Sequence, residues 1–156
     1  MQITYGPEFF PPVISDRDMR SEVEHLQAII SQFPQYEPKT THTFHGGMYC
    51  RQVWRDADVT IIGKVHKKEH FYFVVSGTII VTTDDGVQTI TGPQLLCSKP
   101  GTKRAVYSVT EALCMTFHQL DSVTVEEAEA ELVEEDPKSM FGIGNTVKNQ
   151  SIEVTS

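Results

Sequence analysis

The chain has 156 residues, of which 39% are apolar and 22% charged. One domain with a sizeable core fits that length, and the composition excludes a wholly disordered chain. Thirteen basic residues against 21 acidic ones give a net charge of −8, and no run of 18 apolar residues offers a membrane-spanning helix.

The first predicted zone, residues 1–41, is an N-terminal arm and helix. Tyr5-Gly6-Pro7 and Pro11-Pro12 mark irregular chain, and Ser15 before Asp16 and Asp18 reads as a cap followed by acids in a first helical turn. Met19, Val23, Leu26, Ile29 and Ile30 recur at helical spacing until Pro34, which predicts a helix over 16–32. Such a helix covers one face of the rest of the domain or packs on a partner chain.

Residues 42–120 change character to short β-rich runs: 43–54, 59–65, 71–75, 78–83, 87–91, 95–98, 104–109 and 113–118. Turn signals separate them, among them Ser76-Gly77, Asp84-Asp85-Gly86, Gly92-Pro93 and Pro100-Gly101. Eight short strands with no helices between them predict an antiparallel sandwich or barrel.

The last zone, residues 121–156, is an acidic helix and a C-terminal tail. Thr124 with Glu127 three residues on fits a capping box, and Val125, Ala128, Leu132 and Val133 predict a helix over 125–135 with an acidic outer face. Residues 140–156 have little pattern and read as a loose tail or a docking arm.

The charge is segregated. Residues 121–136 hold eight acids and no Lys or Arg, so the rest of the chain is neutral, while Arg51 to Arg104 carries eight basic residues against five acidic. That local excess is too small for a nucleic-acid face; it suits a small polar or anionic ligand, or simply a solvated surface. The odd number of cysteines (Cys50, Cys97, Cys114), each in an apolar stretch, predicts buried free thiols of a reducing compartment. Met1 to Pro12 lacks the basic and apolar regions of a secretory signal, so a cytoplasmic location is expected, with neither nucleic acid nor membrane as partner.

The densest group of chemically active residues runs from Gly63 through Lys64, His66, Glu69, His70 and Tyr72 to Gly77. It resembles the first motif of the cupin superfamily: a His-x-His pair, a Glu three or four residues later, then six residues and a Gly. Counted back from Gly77, His70 stands where the family has its Glu, His66 at its second His, and Lys64 at its first. Lys99-Pro100-Gly101-Thr102-Lys103-Arg104 is similar to the second motif, with Arg104 where the family has its fourth ligand; an arginine cannot bind a metal. The resemblance covers about half the chain. It implies an all-β, antiparallel cupin-type barrel (a jelly roll or double-stranded β-helix) with the two helices packed outside.

That fold implies a small-molecule pocket in the barrel mouth. His66 and His70, with His118 as the third group, could hold one divalent transition metal (zinc, nickel, manganese or iron); His42, His45 and Glu69 are further candidates to complete a site. Sugar epimerases resembling this fold use a His base and a Tyr acid, which implies His66 or His70 with Tyr72 or Tyr107 in catalytic roles. Lys64, Arg104 and Arg51 would then hold the ligand's charge. Plainer readings stand beside these. His118 reads equally as a satisfied core residue, His25 as exposed, Lys67-Lys68 as solvated, Arg51 and Arg55 as salt-bridged to Asp56 or Asp58, and the cysteines as packing. The alternative to a working pocket is a non-catalytic binding or structural module with a degenerate metal site. The chain is also similar to small cupin-type proteins of tailed phages and prophages, which implies a host cytoplasm or a virion as its place. Such barrels imply a homodimer formed through edge strands and terminal arms.

Overall fold

In the computed structural model, which describes residues 19–148, nine strands form two antiparallel sheets. They are β1 (Lys39–His45), β2 (Met48–Arg55), β3 (Val59–Ile62), β4 (His70–Ser76), β5 (Thr78–Thr83), β6 (Gly86–Thr91), β7 (Gln94–Ser98), β8 (Ala105–Ser108) and β9 (Ala112–Gln119). The five-stranded sheet has the order β1-β2-β9-β4-β7 and the four-stranded sheet the order β3-β8-β5-β6. Every pairing is antiparallel. This is the predicted all-β, antiparallel architecture of two sheets.

One predicted strand is in fact two. The run 43–54 is broken by Gly46 and Gly47, whose φ values of 58° and 75° turn the chain through a two-residue hairpin that pairs His45 with Met48. Positive φ at both central residues is what such a hairpin needs, and glycine supplies it without a steric penalty. The strand therefore begins earlier than expected, at Lys39. Gly77 meets a different constraint between β4 and β5. Its φ is 85°, and a Cβ there would lie 2.2 Å from the Glu111 carbonyl oxygen.

One part of the barrel interior is an apolar cluster. Val74, Ile79, Val81, Ile90, Val106 and Cys114 meet between the sheets. Helix α1 (Met19–Ile30) lays Val23, Leu26 and Ile30 over Ile61 and Ile62 of β3 and over Ala105. The proposed cap at Ser15 lies outside the described residues.

Helix α2 (Val125–Leu132) starts where the sequence predicts, with the Glu127 amide donating to Thr124 Oγ1 at 3.2 Å. It ends three residues sooner than expected, because Val133 leaves the helix to bridge His66. Its Ala128 and Leu132 pack on Tyr49 and Leu120. Through residue 148 the tail is docked: Met140 and Phe141 join the α1 cluster. Asp136 ties these pieces together by accepting from Lys103 Nζ at 2.9 Å and Gln27 Nε2 at 3.1 Å.

Candidate functional site

Alternation along the strands aims every second side chain into the barrel. Arg51, Val53 and Arg55 from β2, His70 and Tyr72 from β4, and Cys114 and Thr116 from β9 line one cavity of about 100 Å³. Arg104 and Val106 face them from the other sheet, and Glu129, Val133, Phe141 and Asn145 close the mouth. A space of that size holds several waters or a compact ligand.

Lys64 and His66 both line this cavity, as their spacing predicts. The segment that carries them is nevertheless not a strand of either sheet. The His66 amide donates to the Thr102 carbonyl at 3.0 Å, and the Gly101 amide donates to the His66 carbonyl at 2.7 Å. On the other side the Lys67 amide donates to the Leu132 carbonyl at 2.7 Å. The Pro100-Gly101 turn and the end of α2 thus clamp His66 between them.

Three imidazoles gather at one end. The His66 and His70 ring centroids are 4.3 Å apart, those of His70 and His118 4.7 Å, and those of His66 and His118 5.8 Å. Burial lowers all three pKa values, His66 well below the ordinary 6.5 and His118 to about 3. Neighbouring positive charge adds to the effect: Arg104 acts on His70, Arg51 on His118, and both on His66. The imidazoles are therefore neutral at pH 7, each with one unprotonated ring nitrogen. His70 Nδ1 lies 3.1 Å from the Lys68 carbonyl and so carries the hydrogen, and His118 Nε2 is 2.9 Å from Thr116 Oγ1.

Guanidiniums occupy the rest of the cavity. Arg104 donates to the Thr82 carbonyl at 3.0 Å and to Ser98 Oγ at 2.9 Å, and its charge sits 5.5 Å from the centre of the Tyr72 ring. Arg55 is only 8% exposed and reaches the Tyr72 hydroxyl at 3.4 Å. Three of the guanidinium nitrogens, Nε and Nη1 of Arg55 and Nε of Arg104, are buried without an acceptor among the described residues. Arg51 pairs with Glu129 at 3.7 Å and donates to the Tyr49 hydroxyl at 2.8 Å. Burial pushes the Tyr72 phenol upward, so it stays protonated.

Several sequence readings change here. Tyr107 does not line the cavity; its hydroxyl donates to Asp58 Oδ1 at 2.6 Å, and the ring packs beside the α1 cluster, because residue 107 faces opposite to 104 and 106. Arg51 pairs with Glu129 rather than with Asp56 or Asp58. Arg55 is an interior residue, and it lies beside the Cys114 thiol, which no local spacing places near a cation. Cys114 is buried, but Cys97 is exposed and Cys50 half-buried. His42 Nδ1 meets the Tyr49 hydroxyl at 2.6 Å, while His25, His45 and Glu69 are exposed. Glu129 was missed because all the acids of α2 read as one solvated face. Its carboxylate instead accepts from the Gly144 amide at 2.7 Å. The only available signal was its spacing from Leu132 and Val133, which places it on the inward side of the helix.

Imidazole is a donor that transition metals favour. Among the described residues, however, no three His, Cys, Asp or Glu side chains are arranged to hold a metal ion. Arg51 and Arg104 beside the imidazoles also repel a dication. The residues do not fit a bound metal as they are placed.

No family model matches the sequence, and no curated protein does. Solved structures resemble the fold. KdgF from Halomonas sp. is 10% identical over 56% of this chain and 84% of its own, with a TM-score of 0.49. A cupin superfamily protein from Desulfitobacterium hafniense is 10% identical over 72% and 98%, at 0.48. A double-stranded β-helix protein from Klebsiella pneumoniae is 13% identical over 57% and 89%, at 0.46. No helix among the described residues is long and apolar enough to cross a membrane.

Proposed function

We propose that the barrel binds a compact oxyanion, or a small polar molecule bearing a carboxylate or phosphate group. The supporting observation is that Arg55 and Arg104, which both line the cavity, keep three buried guanidinium nitrogens with no acceptor among the described residues. A buried cation without a partner is expensive, and an anion that accepts from Arg55 and Arg104 removes that cost. Glu129, the one carboxylate lining the cavity among the described residues, is already engaged by Arg51 and the Gly144 amide. Lys64 at the rim adds attraction, and the neutral His66 and His70, with His118 stacked behind His70, stand beside the polar remainder of the ligand. What the unpartnered donors support is binding, not turnover.

The test is thermal shift and calorimetry with inorganic phosphate, sulfate and acetate, on wild type, Arg55→Met and Arg104→Ala. Wild type should gain about 2.7 kcal/mol at an anion concentration 100-fold above its Kd. Both variants should lose most of that gain, and equal protection in all three proteins would remove the reading. A parallel titration with zinc, nickel, manganese and iron covers the other chemistry. Stoichiometric uptake by wild type that vanishes in the His66→Ala, His70→Ala double variant would make a metal centre the better account.

A further inference from the structure

One buried nucleophile in the barrel has no part in anion binding. Cys114 is carried inward by β9, in step with Ala112, Thr116 and His118, and it lines the cavity while only 1% exposed. Val74, Ile79, Val81, Ile90 and Val106 pack with it, and a thiol held only among such side chains is inert. Cys114 has two polar neighbours as well. Strand β9 lies between β2 and β4, and from these the Arg55 guanidinium and the Tyr72 phenol both come to lie beside its sulfur. Arg55 is 8% exposed and keeps Nε and Nη1 without an acceptor among the described residues. A buried thiol, a buried cation with spare donors and a phenol that holds its proton thus line one cavity with room for a small molecule.

We propose that Cys114 is a peroxide-reactive thiol, oxidised from inside the cavity by a hydroperoxide, first to a sulfenic and then to a sulfinic acid. Hydrogen peroxide is little larger than water, so a space that holds several waters admits it. In the first step Cys114 Sγ attacks the nearer peroxide oxygen, an S–O bond forms and the O–O bond breaks. Sulfur gives up two electrons and the peroxide takes them. The proton released from sulfur ends on the departing oxygen, as water or an alcohol. Negative charge builds on that oxygen as the bond breaks, and Arg55 and Tyr72 are donors already fixed beside the reacting sulfur. A second equivalent of peroxide repeats the exchange. Neither of the other two cysteines can intercept the sulfenic acid as a disulfide, because Cys50 and Cys97 point out of the opposite face of the same sheet. The resulting sulfinate is an anion, and it meets the spare donors of Arg55. A hydroperoxide is neutral, so this chemistry does not depend on the cavity binding phosphate or a carboxylate.

The test treats the full chain with hydrogen peroxide and reads oxidation at each cysteine by peptide mass spectrometry, with fragment ions separating Cys114 from its neighbour Met115. Cys114 should reach the sulfinic acid before Cys97 or Cys50 does, although Cys97 is exposed. N-ethylmaleimide, too bulky for the cavity, should label Cys97 and leave Cys114 untouched in the folded protein. Arg55→Met should slow oxidation of Cys114 by about 100-fold, the usual loss for one fixed donor, and leave Cys97 unchanged. Arg55→Lys, which keeps the charge, should restore part of the rate. Cys114 that stays reduced while Cys97 oxidises would overturn the proposal, and so would equal rates in wild type and Arg55→Met. Maleimide labelling of Cys114 in wild type would overturn it too, since the thiol would then be reached by opening of the barrel. If Arg55→Met does not fold, the order of oxidation in wild type decides by itself.

Discussion

Two groups of cations are buried in this barrel, and they are treated in opposite ways. Lys103 has a side chain only 1% exposed and sits 2.9 Å from the Asp136 carboxylate, which also takes Gln27 of α1. Burial alone would raise the Asp136 pKa, but the hydrogen bonds from Lys103 and Gln27 and the Lys103 charge outweigh it and hold it below the usual value. Arg55 and Arg104 lie against the cavity with donors left over and, among the described residues, no ion pair with a carboxylate. The paired cation closes a seam of the fold, whereas the two arginines are the groups that the proposed anion would meet.

The largest effect should come from breaking the paired site. Asp136→Ala leaves Lys103 as an uncompensated buried charge and should cost about 3–5 kcal/mol in denaturant unfolding. Lys103→Met, which removes the charge and keeps the volume, should cost much less. Similar losses for the two would mean that the carboxylate acts mainly through Gln27.

Arg55→Met should do the reverse. With no anion present it should leave stability unchanged or raise it by about 1–3 kcal/mol, because it removes a buried charge that lacks a counterion. The same variant should lose its response to phosphate. A loss of stability in anion-free buffer would make Arg55 a structural residue and erase the contrast with Lys103.

Acid sharpens the comparison further. His66, His70 and His118 have folded-state pKa values below the 6.5 of the unfolded chain, so the unfolded state binds more protons below that pH. Stability should be complete above about pH 6.5 and fall below it, by up to about 1.4 kcal/mol per pH unit for each histidine. For His118 the window extends to about pH 3. His118→Asn should flatten the slope by one histidine's share in urea titrations at stepped pH. A bound anion should flatten it too, because it offers the imidazolium a partner. An unchanged slope in both cases would place the acid sensitivity elsewhere.

The smallest effect belongs to the helix that carries Glu129. Thr124→Ala removes the acceptor for the Glu127 amide and should cost about 1 kcal/mol while leaving phosphate protection intact. If protection also disappeared, the Arg51–Glu129 pair would be part of the binding surface rather than its frame.

The sequence alone was informative wherever the signal was local. Alternating apolar runs, the glycine at position 77, the helical stripe from Met19 to Ile30 and the Thr124 cap each depend on residues a few positions apart, and each reappears in the structure. Lys64, His66, His70, Tyr72 and Arg104 were legible as neighbours because strand alternation and the turn spacing place them on one side of the chain. What remained hidden depends on residues distant in sequence. Arg55 reads as a salt-bridged arginine, and Arg51 as either that or a ligand-binding one, until β2 is paired with β9, which turns both toward the cavity. Glu129 read as one more acid on a solvated helix until the C-terminal segment packs over the barrel mouth. Tyr107 read as a candidate acid until β8 pairs with β3 and turns it outward. Local spacing determines which side chains share a face of a strand or helix. Only the packing of sheets and helices decides whether that face meets water, a core or a cavity, because burial depends on what lies opposite.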